Sequence, residues 1–216
     1  LVSPISVLLA LGITANGADN ETLAEMEQAF GGKIEDINKN LINYLQLINS
    51  NSIYIANSIW INALQNVDIK DDFLEANSKY YNAEIYSEKF TDQTAVKINN
   101  WVKENTKEMI EKIIENINND TVMYIVNAIA FDGEWENGYD ENQVRNDIFT
   151  NYKGEQKDVE MMISEEKFFL TDGKAIGFIK PYQEKFSFVA ILPQVDLSQY
   201  ISQMTGESFL DFMNSR

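Results

Sequence analysis

Two pairs of adjacent carboxylates, Asp71-Asp72 and Glu165-Glu166, are the residues of this chain best suited by type to acid-base chemistry. Neither spacing favours that use. Neighbours on a strand point to opposite faces, so Glu165 and Glu166 would not converge on one substrate, and Asp71-Asp72 opens a helical pattern, where acidic residues complement the helix dipole. The chain contains no His and no Cys. Without imidazole or thiolate there is no Ser-His or Cys-His nucleophile and no zinc site built from those ligands. An EF-hand loop, a phosphate-binding loop and GxGxxG are absent as well, so no cofactor or metal is expected and the chain does not read as an enzyme.

Asn127 is the polar residue whose position asks for an explanation. It interrupts TVMYIVNAIAFDGEW over 121–135, a run of Val, Ile and aromatics closed by Asp132-Gly133, which predicts a strand buried on both faces. A side-chain amide taken out of water without partners costs about 1 to 3 kcal/mol, so hydrogen bonds must reach it from elsewhere in the chain. Ser3 and Ser6 qualify. They bracket the start of the most apolar helical pattern, and a small hydroxyl can lie close to a strand and both donate and accept.

The elements that must position these residues can be read from periodicity. Ser3-Pro4 is an N-cap followed by proline at the first helical position, and an apolar helix over 4–18 follows, with Gly17 marking its end. Thr22 to Glu25 reads as a capping box for a second helix, with Leu23, Met26 and Phe30 on one face and Gly31-Gly32 as its stop. Ile34, Ile37, Leu41, Tyr44, Leu45 and Ile48 continue at helical spacing, and NSIYIANSIWIN is a strand. A helix is predicted over 71–81, a strand at AEIYSEKF, and a long amphipathic helix over 98–116 leading into the Asn127 strand. Beyond Phe149 the pattern changes to hairpins: VEMMI, KFFLTDGKAIGFI turning at Asp172-Gly173, and KFSFVAILP, before short helices over 197–214. Helices in the first half and hairpins in the second predict one α+β unit.

Composition narrows the partners. With 216 residues and 44% hydrophobic content the chain can bury a sizeable core. Lys plus Arg total 17 against 34 for Asp plus Glu, and no basic block occurs, which speaks against nucleic acid and anionic membrane surfaces. No run approaches the roughly eighteen apolar residues of a membrane span. The chain opens at Leu1-Val2, directly before a helix cap, so the start looks cut and a secretory signal cannot be assessed. The sequons at Asn20 and Asn119 are explained by the abundance of Asn.

Three segments resemble one family. VSPISVLLALGITANGA resembles the serpin helix B signature, INNWVKENTKEMIEKII the helix F segment, and TVMYIVNAIAFDGEW the third strand of the serpin central sheet. The three motifs occur in the expected order, and the resemblance extends through FVAILP to the closing helices, with Tyr139, Val144 and Asp132 departing from the family pattern. It implies a serpin fold, three antiparallel-rich sheets with helices packed around a central sheet, as a single domain over 1–216 running from helix B into the helix G/H region and truncated at both ends.

The function implied by the resemblance is suicide inhibition of serine, or cysteine, proteases: a cleaved reactive loop inserts into the central sheet while the protease is held as an acyl-enzyme. Ser3, Ser6 and Asn127 match the shutter, the polar cluster beneath the place where the sheet opens, and Trp135 matches the breach at its top. The reactive-site bond lies outside this chain, so the protease and its pocket preference are not legible. The partners implied are a target protease and a complementary C-terminal segment of the same protein that covers unpaired sheet edges. Extracellular localisation follows from the family. Helix D, over 35–50, holds only Lys39 as a basic residue, which speaks against heparin. A non-inhibitory serpin acting as carrier, storage protein or chaperone is the alternative, and a carboxylate-dependent hydrolase ranks third.

Overall fold

Ser3 accepts the backbone N–H of Ser6 at 3.3 Å and Pro4 takes the first helical position, so α1 (Pro4–Ala15) begins where the sequence predicts. The computed structural model describes residues 2–215, which fall into two units, Leu1–Asp132 and Gly133–Arg216.

In the first unit α1 is followed by α2 (Asn20–Phe30), α3 (Ile34–Ile48), β1 (Ile53–Asn62), α4 (Asp71–Tyr81), β2 (Ala83–Glu88), α5 (Asp92–Asn105) and β3 (Met123–Phe131). The predicted capping box is corrected: Asp19, not Thr22, is the N-cap of α2, and Thr22 lies inside the first turn. Gly31 does end that helix, with φ of 74°, a conformation that side chains with a Cβ rarely adopt.

The strands form a sheet in the order β2-β1-β3, with β1 parallel to β2 and antiparallel to β3. Alternation along β1 and β3 divides the core in two. Ile59, with Ile55, Ile125 and Ile129, packs against Leu9 and Ile13 of α1 and Leu41 of α3. Trp60, Val126 and Ala128 face the other way, against Ile98, Trp101 and Val102 of α5. Helices therefore cover both faces of the sheet. The strand predicted to be buried on both faces is fully buried on one only: Val126, Ala128 and Ala130 are buried, and the Asn127 face is half-buried.

The helix predicted over 98–116 is shorter and starts earlier. α5 stops at Asn105, where the Thr106 hydroxyl donates to the Val102 carbonyl at 2.8 Å and accepts from Ile110 N–H at 3.2 Å, and Lys107 and Glu108 turn left-handed at φ of 48° and 62°. Ile110, Ile114 and Ile117 still pack on the α5 core, but from an irregular segment. Asn99 braces it, its Oδ1 accepting from Ile113 and Ile114 N–H and its Nδ2 donating to the Ile114 carbonyl.

The second unit holds the hairpin of β4 (Val144–Thr150) and β5 (Gln156–Met162), and a sheet in the order β6 (Phe168–Thr171), β7 (Ala175–Pro181), β8 (Ser187–Pro193). Asp172 makes the predicted turn, its Oδ1 accepting from Lys174 and Ala175 N–H at 2.8 Å each. α6 (Leu197–Gln203) and α7 (Gly206–Met213) close the chain, and Phe212 of α7 packs with Leu170, Ala175 and Ile179.

Candidate functional site

Asn127 lies directly opposite Asn57 in the register of the antiparallel pair β1–β3. The two amides meet there, Asn127 Nδ2 donating to Asn57 Oδ1 at 2.8 Å and lying 3.5 Å from the Ala56 carbonyl. Ser6 supplies the remaining partner, its hydroxyl donating to Asn127 Oδ1. The amide that interrupts the apolar run is thus bonded on both its atoms. Ser3 serves a different purpose from Ser6: as the cap of α1 it fixes the first turn that carries Ser6, and its bond runs to Ser6 N–H. Asn57, 3% exposed, hands its own Nδ2 to the Tyr81 carbonyl at 2.8 Å. The periodicity of NSIYIANSIWIN placed Ser58 and Trp60 in the strand but gave no reason to single out Asn57; its pairing opposite Asn127 is a fact of register, which alternation alone does not fix.

A link of this composition can re-pair. A hydroxyl donates or accepts by rotation and an amide offers both functions, so Ser6 and Asn127 can exchange partners if β3 gains a neighbour, where an apolar contact would hold one packing.

Tyr81 ties this cluster to the surrounding helices, and burial pushes its phenol up to about 12. The neutral form is the one the fold accommodates, so the contribution of Tyr81 to stability is complete below its unfolded value of 10.0 and is lost as pH rises through about 12. The Tyr86 phenol, which donates to Glu84, is pushed the same way, first by that bond. Stability measured against urea is therefore expected to fall between about pH 10 and 12, and Tyr81→Phe is expected to flatten that slope. An unchanged slope in the variant would contradict the assignment to Tyr81.

Trp135 lies in the second unit and stacks on Tyr182 at 4.3 Å with 10° between the ring planes, and Phe188 meets it edge-on at 6.0 Å. A single β-bridge joins Trp135 and Tyr182, and Glu136 N–H donates to the Pro181 carbonyl at 3.0 Å. Beneath it lies a group that the sequence reading missed. Lys180, 5% exposed, pairs with Glu166 at 2.7 Å, and its ammonium stands 4.5 Å from the Tyr139 ring and 5.4 Å from that of Trp135. Ser164 completes the cluster by donating to Glu166 at 2.6 Å. Burial alone would raise the Glu166 carboxyl, but the hydrogen bonds from Lys180 and Ser164 hold it below the usual carboxylate range. Burial, the largest single influence, would likewise lower Lys180, but the bond to Glu166 and the proximity of Glu166 and Tyr139 together hold it above the usual lysine value. The signal was a charge at the end of the apolar strand AIGFIKP, which needs a counter-ion. Glu165 and Glu166 lie in the irregular segment between β5 and β6, not on a strand as the sequence suggested, and Glu165 is exposed while Glu166 is half-buried.

Beside this ion pair is a pocket of about 490 Å³, lined in part by Gln143, Ser164 and Glu166. Among the described residues no group of three or more acidic side chains is placed to hold a metal, and no helix is long and apolar enough to cross a membrane.

Comparison with known proteins identifies the family and the fold. The serpin (serine protease inhibitor) family pattern matches residues 1–216. A serpin-like protein of Methanosarcina acetivorans is 30% identical over 90% of this chain and 48% of its own length. Human serpin B8 is 30% identical over 99% of this chain and 60% of its own. Among solved structures, the thermophilic serpin tengpin superposes in its latent state with a TM-score of 0.92 and in its native state with 0.90, at 45% identity in both. Those alignments take in 99% of this chain and 60% and 57% of the tengpin chains. This chain thus spans about half to three fifths of the length of the relatives it matches.

Proposed function

This chain belongs to the serpin family, and from that premise we propose that it is part of a suicide inhibitor of serine proteases, with cysteine proteases as a second target class. In this reading the protease nucleophile attacks the scissile carbonyl of an exposed reactive loop, carried by residues beyond these 216, and an acyl-enzyme forms. The freed end of the loop then enters the central sheet beside β3, and the tethered protease is distorted before water releases it. The work is conformational rather than catalytic, and the fold behaves as a single domain.

One observation carries the reading: Ser6 and Asn127 join α1 to an edge strand through groups able to change partners. Ser3, Ser6 and Asn127 act as the shutter, with Asn57 as their partner within the sheet, and Trp135 acts as the breach. A complementary C-terminal segment of the same protein is the second partner. Phe149, Tyr152 and Leu192, exposed by 54%, 92% and 65%, support it as apolar surface suited to such a cover. Secretion is part of the proposal.

The test is incubation of the intact protein, reactive loop included, with serine and papain-type proteases of differing specificity. A complex of about one to one that survives boiling in detergent is expected. Cleavage of the loop with no such complex would reject inhibition in favour of a carrier, storage or chaperone role.

A further inference from the structure

The hydrogen bonds that leave Asn127 do not end at Asn57. Asn57 donates to the carbonyl of Tyr81, the last residue of α4, and the Tyr81 phenol donates in turn to Asn38 Oδ1 at 2.7 Å. Asn38 Nδ2 reaches Asn16 Oδ1 at 2.8 Å, Asn16 Nδ2 reaches Asn77 Oδ1 at 2.9 Å, and Asn77 Nδ2 ends on the Ile13 carbonyl of α1 at 3.3 Å. The relay thus returns to the helix from which Ser6 started it. Asn38, Asn77 and Tyr81 are 5%, 0% and 1% exposed, so water does not substitute for these bonds.

Each half of the relay runs from a hydroxyl to a backbone carbonyl. A carbonyl only accepts, so the amide facing it must donate, its Oδ1 must accept, and the orientation is imposed backward through every amide to Ser6 in one half and Tyr81 in the other. Chains aligned in this way polarise one another, and removing a link at Asn38, Asn77 or Tyr81 leaves a buried neighbour unsatisfied. Ser6 and Ile13 stand two helical turns apart, on the same face of α1. The helix is therefore pinned at both ends from one side. Gly12 supplies the room: a Cβ there would stand 2.3 Å from the Tyr81 hydroxyl, so the phenol crosses α1 where its backbone is bare.

We propose that Tyr81 is a positioning residue for the Ser6–Asn127 link, the junction through which α3 and α4 jointly hold α1 against the sheet, so that β3 slides past α1 only when both ends of the relay release. This rests on the reading of Ser6 and Asn127 as the shutter. Tyr81 touches neither residue, and its effect passes through Asn57 on one side and through the rigid helix on the other.

The test compares Ser6→Ala, Tyr81→Phe and the double variant of the intact protein, by the rate of spontaneous conversion to the loop-inserted form and by the urea midpoint. Tyr81→Phe keeps the ring and removes only the hydroxyl. It is expected to speed conversion about tenfold, and the double variant to convert little faster than the faster single one. Asn38→Ala, which breaks the next link, is expected to reproduce the effect should Tyr81→Phe fold poorly. A lower urea midpoint with unchanged conversion, or two effects that multiply, would overturn the proposal. If the unaltered protein neither converts nor inhibits, the inhibitory reading fails on its own; the relay is then judged by the urea midpoints alone, where non-additive shifts support it and additive shifts reject it.

Discussion

Asn127→Ala in the intact protein is expected to raise spontaneous loop insertion or polymerisation by about tenfold or more. The substitution leaves the Ser6 hydroxyl and Asn57 Oδ1 without the partners they have in the fold. Stranding groups in a partly buried site costs about 1 to 3 kcal/mol, and each 1.4 kcal/mol taken from the barrier is a factor of about ten in rate. The loss falls on the closed arrangement, because an inserted strand brings a new ladder of backbone bonds beside β3. Conversion at elevated temperature, followed by native electrophoresis, reads the rate. Unchanged inhibitory stoichiometry together with unchanged thermal stability would reject a gating role for Asn127.

Glu166→Ala is expected to destabilise the second unit strongly. It leaves the Lys180 ammonium, 5% exposed, without its carboxylate, and breaking a buried ion pair from one side costs about 3 to 5 kcal/mol. Replacing both members by neutral side chains, Glu166→Gln with Lys180→Met, is expected to recover most of that loss, since a pair removed together leaves no bare charge. Acid provides a second arm. Because the Glu166 value is depressed in the fold, its contribution is present above the unfolded value of 4.5 and is lost as pH falls through the lower folded value. Urea unfolding from pH 7 down to 3 is expected to show that loss in the natural protein and a smaller one in Glu166→Gln. Equal slopes would mean that the pair contributes nothing measurable.

Legibility followed the range of each interaction. Ser3-Pro4 announced α1, Gly31 announced the end of α2, and Asp172-Gly173 the hairpin between β6 and β7, because caps and turns are decided within a few residues. The α+β class and the serpin fold were legible from the order of these patterns and from three long motifs, and the superposition on tengpin agrees. The end of α5 was not. Ile110, Ile113 and Ile114 keep an apolar spacing that a helix would use, while the left-handed turn at Lys107 and Glu108 and the brace from Asn99 are set by packing against the core.

For the site, an amide inside an apolar run gave Asn127 and its demand for partners, and Ser6 met that demand as expected. Asn57, Asn38 and Asn77 stayed hidden in a chain rich in Asn, because only register and helix packing bring them into one relay. Lys180 was hidden for a different reason. Its counter-ion, Glu166, stood in a carboxylate pair that was weighed for catalysis and dismissed, and its role as half of a buried ion pair needs the fold to be seen.

Inhibition by this route requires the edge of β3 that faces away from β1 to take up a further strand. Amide hydrogen exchange along residues 123–131 of the intact protein, before and after cleavage of its reactive loop, measures this directly. The outward-facing amides of β3 are expected to become strongly protected after cleavage, with those paired to β1 already protected before it. Identical exchange in the two states would mean that no strand arrives, and the inhibitory reading of Ser6 and Asn127 would fall with it.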